Sequence, residues 1–358
     1  VANSAGHRRS VSISRNAESK IITGFPDLKA STASRTPPSM TCRGAIDTRH
    51  FRSRKNDVLG SNPHSMSAKI EASAPARVDL AGGWTDVGPY PFDVGGEVVN
   101  FAINRRVFAR MPQFSVEEDA ELEFQVPRGS GLGTSAAMNV ALAALMSPEG
   151  AETPAALAEM AYAAESQEGN MCGRQDQWAS AFGGFNHLLF IGDSVEVMPF
   201  EPMRSAKNWL NKHLIIAYSG ISRKSGDMQK SVWDSYSRGD KNVSDGLHII
   251  RRAARVMANG IQQDRRDLVV ASLRDVCEGV DLMDPSIHDP FREATEPLLE
   301  TGSLAAWKAL GAGGGGCAAL LCSPTGVEEV ESRVLDAGWE LIEWQFDEEG
   351  VLLKQSNI

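Results

Sequence analysis

The densest phosphate-binding chemistry in the sequence lies in Gly129-Ser130-Gly131-Leu132-Gly133-Thr134-Ser135. Successive backbone N–H groups in a glycine loop form a concave donor site, and a helix opening at its end adds partial positive charge. Thr134 and Ser135 bring hydroxyls to that helix mouth, within reach of a phosphate or a metal. Two familiar motifs are excluded. No Gly-Lys-Ser/Thr follows, as a P-loop requires, and Thr134 stands where the dinucleotide fingerprint needs its third glycine. Taken alone, the segment also reads as a tight strand-to-helix turn.

Two more glycine-centred segments flank it. Pro75-Ala76-Arg77-Val78-Asp79-Leu80-Ala81-Gly82-Gly83-Trp84-Thr85-Asp86 precedes it, and Gly311-Ala312-Gly313-Gly314-Gly315-Gly316 follows far downstream. With the three in this order the chain resembles the GHMP kinases, the superfamily of galactose, homoserine, mevalonate and phosphomevalonate kinases. The resemblance covers about residues 68–355. It implies that the first motif meets the substrate, that the second cradles the phosphates of ATP, and that the third folds back beside the second. ATP binding then falls to Gly129, Ser130, Gly131, Leu132, Gly133, Thr134 and Ser135, with Gly313, Gly314 and Gly315.

The same resemblance implies a magnesium-binding Glu on the helix after the phosphate loop, and a catalytic Asp about eleven residues further on. Glu165 and Asp176 have that spacing. A hard cation bridging phosphates needs oxygen ligands, for which Glu165 with Ser135 or Thr134 is suited. An attacking hydroxyl needs an acceptor close by, the role expected of Asp176. Glu159 and Glu168 are available by sequence as ordinary helix charges, the bland alternative for Glu165. Arg77 is expected near Asp176 and the transferring phosphoryl group, where it would stabilise charge. In the same motif Asp86 is expected to accept hydrogen bonds from sugar hydroxyls. Gly83 would approach the substrate, and Trp84 would either stack on a sugar face or join the core.

Gly82-Gly83-Trp84-Thr85-Asp86 departs from the Gly-Glu-His-Thr-Asp of galactose kinases and disfavours galactose. The first motif looks most like the fucose kinases. The stretches 173–186 and 219–223 are similar to D-glycero-D-manno-heptose phosphate kinases, and the second ends on Arg223, a substrate-binding candidate. Both groups phosphorylate an anomeric hydroxyl, so the resemblance implies a sugar 1-phosphate as product. The substrate would be a heptose, a heptose phosphate or a fucose-like sugar. A competing reading keeps the scaffold but loses catalysis, leaving a sugar- or nucleotide-binding sensor; retention of Glu165, Asp176 and Ser135 disfavours it. Only residues 87–128 separate the first motif from the loop, a shorter connection than the resemblance implies.

Elements that could hold these residues are legible at coarse grain. Strands are expected over 68–81, 97–109, 122–126, 187–191, 213–218, 317–322 and 339–346. Helices are expected over 134–146, 155–168 with Thr153 as N-cap, 289–299 and 327–337. The stretch 224–278 reads as mostly helical, broken near 238–240 and near Asn259-Gly260. Strands and helices mix without regular alternation, which predicts an α+β, two-lobed fold with its glycine phosphate loop between a strand and a helix. The expected organisation is an N-terminal kinase domain over 66–200 and a C-terminal one over 201–358.

Composition narrows the class further. The first 65 residues carry 11 Lys/Arg against 4 Asp/Glu, so the remaining chain holds 25 basic and 42 acidic residues. A body this acidic argues against a nucleic-acid surface. No apolar stretch approaches the length of a membrane helix. Five scattered cysteines without a C-x-x-C pattern suggest reduced thiols and a cytoplasmic location. The Ser- and Arg-rich segment 1–65 is expected to be disordered; a targeting segment and a basic binding arm compete with the favoured reading, dispensable sequence or sequence upstream of the true start. A small-molecule sugar is the expected partner, and a homodimer is compatible with the sequence.

Overall fold

The computed structural model describes residues 69–112, 120–147, 152–167, 171–221 and 225–355. The expectations for the segment 1–65 and for Arg223 lie outside the described residues. The chain runs through β1 (Lys69–Ala81), α1 (Tyr90–Asp93), β2 (Gly96–Pro112), β3 (Glu121–Phe124), α2 (Thr134–Met146), α3 (Pro154–Gln167) and α4 (Gln175–Phe182). It continues through β4 (Phe185–Ile191), β5 (Ser194–Val197), α5 (Arg204–His213), β6 (Leu214–Tyr218), α6 (Ser225–Ser237), α7 (Lys241–Gln262) and α8 (Arg266–Met283). A 3-10 turn at Pro285–Ile287 leads to α9 (Asp289–Thr301), β7 (Leu304–Ala309), β8 (Cys317–Cys322), α10 (Val327–Asp336), β9 (Glu340–Leu341) and β10 (Leu352–Gln355). The result is a mixed α+β fold.

Two antiparallel sheets position the site. One has the order β10-β1-β2-β4-β5, with β3 also paired to β2; the other has the order β7-β8-β6-β9. β1 shows why its sequence makes a central strand. Ala72 and Ala74 pack into the core cluster of α2 and α3, whereas Ala76, Val78 and Leu80 alternate along the face packed on α7 and α8, and all five are fully buried. Arg77 and Asp79 share the opposite face and are buried as well, at 2% exposure each. Two charges hidden on one strand need partners, and they find them at the site.

α2 rests against β1, β2, α3 and α4. Ala136, Ala137, Val140, Ala141, Ala143 and Ala144 are buried along it, so its apolar residues run nearly all round rather than in a stripe. Small side chains let this helix approach the sheet closely. The Thr153 cap forms as expected: its Oγ1 accepts from the Ala156 N–H at 3.2 Å.

Several elements differ from the sequence reading. α4, α5, β5, β7 and β10 were not foreseen. β7 (LAAWKA) lacks β-branched residues, and β10 gains strand identity only by pairing with the start of β1. The break at 238–240 is present, but α7 passes through Gly260 to Gln262. Gly260 is there for packing: a Cβ would come within 3.0 Å of Val269 Cγ2 at the start of α8. The expected strand 339–346 reduces to β9 and an isolated bridge between Phe346 and Ile103. Among the described residues no helix is long and apolar enough to cross a membrane.

Candidate active site

The three glycine-centred segments and both singled-out carboxylates line one cavity of about 630 Å³. It gathers Arg77, Gly83, Trp84 and Asp86 from the first segment, and Gly129, Gly131, Gly133, Thr134 and Ser135 from the second. Gly313 and Gly315 come from the third, with Glu165 and Asp176 between. Three of the expected nucleotide residues stand off this wall. Ser130 and Leu132 are fully buried, and the Gly314 N–H is spent on the Ile287 carbonyl at 2.8 Å. These three shape the loops from behind instead of facing the cavity.

The second and third segments are joined backbone to backbone. The Cys317 N–H donates to the Ser130 carbonyl at 2.7 Å, and a Cβ on Gly131 would lie 2.3 Å from the Leu310 oxygen. Gly131 (φ 80°) and Gly133 (φ 71°) adopt left-handed conformations that glycine enters without strain. Gly133 is also the residue from which α2 starts.

At the centre lies a bidentate ion pair. Arg77 Nε and Nη2 donate to Asp176 Oδ1 and Oδ2, both at 2.7 Å, and Nη1 donates to the Gly131 carbonyl at 2.6 Å. One buried arginine therefore fixes the carboxylate and the loop together. Its burial disfavours the charged guanidinium, but Asp176, with Asp79 and Asp86 adding to it, more than offsets that and leaves Arg77 above its ordinary range. The Asp176 side chain keeps 28% exposure, opening toward the cavity.

The first turn of α4 holds two distant carboxylates and presents a third of its own, which the sequence reading did not foresee. Gln175 donates to Asp86 through its backbone N–H (3.0 Å) and its Nε2 (3.1 Å). Asp176 holds Arg77, and Gln177 Nε2 donates to Glu165 Oε2 at 2.8 Å. Asp86 thereby satisfies one of the free N–H groups at the helix start from far away in sequence. The signal was present in the run Gln175-Asp176-Gln177, two amide donors around an acid.

Burial lifts the Glu165 carboxyl above its usual range, Asp176 adds to the rise, and hydrogen bonding from Ser135, Gln177 and Asn139 opposes it. A carboxylate with a hydroxyl beside it, in a site that penalises its bare charge, is a donor pair that could hold a hard divalent cation. Cys172 lines the same cavity, and burial pushes its thiol up to about 12, which favours the neutral form. Trp84 sits at φ 83°, a conformation costly for a non-glycine residue. Thr85 Oγ1 braces that turn, donating to the Gly82 carbonyl at 2.7 Å and accepting from the Glu97 N–H at 3.1 Å. The Trp84 indole packs against Trp233, with centroids 6.3 Å apart, and shows only 7% exposure. It is core and cavity wall together.

Burial also pushes the Asp86 carboxyl up to about 7, opposed by the Gln175 backbone N–H and reinforced by Asp176 and Asp79. Its ordinary value is 3.8, so the fold favours the protonated form. The stability this confers is complete below the unfolded value and is lost as pH rises through about 7. Asp86→Asn imitates the protonated state. Relative to the parent, the variant is expected to gain stability at about pH 8.5 over about pH 5, by on the order of a few kcal/mol at most. Paired denaturation curves at the two pH values check this. An unchanged difference between the proteins at both would mean that Asp86 titrates normally.

The cavity places a held carboxylate, a buried guanidinium and glycine-rich N–H surfaces around one space, the parts list of a small-molecule kinase. Comparison with known proteins agrees. Residues 99–184 match the GHMP kinases N terminal domain. A D-glycero-alpha-D-manno-heptose 7-phosphate kinase of Campylobacter jejuni is 24% identical over 234 residues, covering 63% of this chain and 67% of that protein. A mevalonate kinase of Thermococcus sibiricus is 26% identical over 237 residues, covering 64% of this chain and 67% of its own. The crystal structure of a D-glycero-D-manno-heptose 1-phosphate kinase from Bacteriodes thetaiotaomicron superposes with a TM-score of 0.61 at 21% identity, over 81% of this chain and all of that one. Residues 99–184 thus carry the N-terminal domain of the GHMP kinases, a family of phosphotransferases that use ATP, and the described fold is shared with solved kinases of that type.

Proposed function

We propose that the protein transfers the γ-phosphoryl group of ATP to the anomeric hydroxyl of a sugar, of the heptose, heptose phosphate or fucose-like class. The observation that carries the reading is the bidentate Arg77–Asp176 pair inside a cavity walled by all three glycine segments. Two of the proteins similar to this chain are named as heptose phosphate kinases, which favours a heptose skeleton.

In this reading the γ-phosphate rests on the backbone around Gly131 and Gly133 and the mouth of α2. Asp176 accepts the proton from the sugar's O1 as that oxygen attacks the γ-phosphorus. The new O1–P bond forms while the bond to the β-phosphate oxygen breaks, and ADP leaves. Arg77 aims Asp176 through its two hydrogen bonds, and its charge lies beside the phosphoryl group in flight. Asp86 has acceptor capacity left after serving Gln175 and uses it on ring hydroxyls. Glu165 and the Ser135 hydroxyl would hold magnesium, which supplies charge neutralisation between the phosphates when bound.

Phosphorus NMR of the product tests the assignment. With ATP, magnesium and heptose 7-phosphate or fucose, the expected product carries an acid-labile anomeric phosphate. The corresponding methyl glycoside, blocked at C1, is expected to bind without reacting. Phosphorylation of a primary hydroxyl would overturn the regiochemistry. Binding of sugar and nucleotide with no phosphorylated product would favour a sensor instead.

A further inference from the structure

One buried ion pair next to the cavity has no part in the chemistry above. Lys308 Nζ on β7 donates to Asp79 Oδ2 on β1 at 2.5 Å, and their side chains are 5% and 3% exposed. Among the described ion pairs it is the one most fully removed from solvent on both sides. It is also expensive. Taking two charges out of water costs several kcal/mol per ion, and apolar residues of similar volume commonly serve stability as well or better. Asp79 Oδ1 adds to the cost, being buried without a hydrogen-bond partner.

The position of the pair suggests what the cost secures. Asp79 lies two residues after Arg77 on the same strand face, and its charge helps hold the Arg77 guanidinium protonated. The backbone of Gly83 lies directly on its carboxylate: a Cβ there would meet Asp79 Oδ2 at 2.0 Å. Lys308 stands two residues before Leu310, whose carbonyl abuts Gly131 in the phosphate-facing loop. β1 belongs to one sheet and β7 to the other. The pair thus ties the turn expected to meet the sugar to the corner that braces the glycine loop.

We propose that Asp79 and Lys308 are positioning residues: their buried pair pins the Gly83 turn and the Leu310–Gly311 corner at the separation that in-line phosphoryl transfer requires. An error of about 1 Å in such a separation can cost about 100-fold in rate even when each half of the site still binds its ligand. The kinetic side of the proposal rests on the kinase reading above. The structural side does not.

The test compares the parent with Lys308→Met and with the double variant Asp79→Asn/Lys308→Met. The single variant leaves a buried carboxylate unpaired, so lower thermal stability is expected. The double variant removes both charges, and recovery of the parental melting temperature is expected. Its turnover with a sugar acceptor should nevertheless remain about 10- to 100-fold low in kcat, with little change in either KM. Amide hydrogen exchange at 82–85 and 310–316 should be faster than in the parent despite the recovered melting temperature. A double variant with parental turnover and parental exchange in both segments would overturn the proposal and reduce the pair to a replaceable structural contact. If the parent itself shows no phosphoryl transfer, the kinase reading fails, while the exchange comparison still decides whether the pair pins the two segments.

Discussion

Asp176→Asn is expected to lower kcat by about 10²–10⁴-fold, the usual loss when a positioned general base is removed. The substitution is nearly isosteric, but it does two things at once. It removes the charge that would take the O1 proton, and it replaces one of the two acceptors of Arg77 with an N–H donor. Arg77 currently reaches both oxygens at 2.7 Å, so one of its N–H groups is left facing another donor. Asp176 keeps 28% of its side chain exposed, where water can rescue part of the lost contact. The folding cost should therefore stay nearer the loss of one charged hydrogen bond, about 1–3 kcal/mol, than that of a fully buried broken pair. Nucleotide affinity should change little, because the backbone of the glycine loop supplies it. Single-turnover rates with saturating ATP and sugar, on protein verified as folded, separate the kinetic loss from the folding loss. Parental turnover in Asp176→Asn would mean that the cation and the loop suffice without a base.

What could be read from the sequence was whatever is encoded locally. The glycine segments declare themselves because left-handed turns and close backbone approach need glycine at fixed offsets, as at Gly131 and Gly133. The Arg77–Asp176 proximity was expected from the family pattern, though not its bidentate form. Residues whose roles depend on a distant partner were missed. α4 has only eight residues and starts without a side-chain cap of its own; its cap comes from Asp86, 89 positions away. Gln175 and Gln177 looked like ordinary polar residues until the fold set carboxylates opposite them. Lys308 sits in the apolar run Leu304–Ala309, where a lone cation ought to have prompted a search for a buried partner. Asp79 shares a strand face with Arg77, and the period of two was visible in β1. Gly260 misled in the other direction: it resembles a helix stop, yet it serves the packing of α7 on α8.

Gly131→Ala should be a severely damaging single-methyl change in the site, and a second glycine shows how to measure why. Gly131 and Gly302 have nearly the same backbone, φ 80° and φ 77°. An L-residue forced into that region costs about 1–2 kcal/mol at either position. Their surroundings differ. Nothing lies within 4 Å of a Cβ built on Gly302, at the end of α9, whereas one on Gly131 would meet the Leu310 oxygen at 2.3 Å and its carbonyl carbon at 2.8 Å. That neighbour is backbone and cannot rotate away. Leu310 N–H is bonded to the Cys317 carbonyl at 2.9 Å, and Cys317 N–H to the Ser130 carbonyl at 2.7 Å, so the two loops are stitched on both sides of the clash. Overpacking of this kind adds about 1–3 kcal/mol, giving about 2–5 kcal/mol for Gly131→Ala against about 1–2 kcal/mol for Gly302→Ala. The relief available to Gly131→Ala is to push the third glycine segment off the second, which opens the wall expected to face the phosphates. Its KM for ATP should then rise at least about tenfold, about 1.4 kcal/mol of lost binding, while sugar affinity holds because Asp86 and the Gly83 turn are untouched. Denaturant unfolding of the two variants together with ATP titrations checks both parts. Equal destabilisation of Gly131→Ala and Gly302→Ala, with parental KM for ATP in each, would show that the two loops do not press on one another and that the phosphate wall is formed elsewhere.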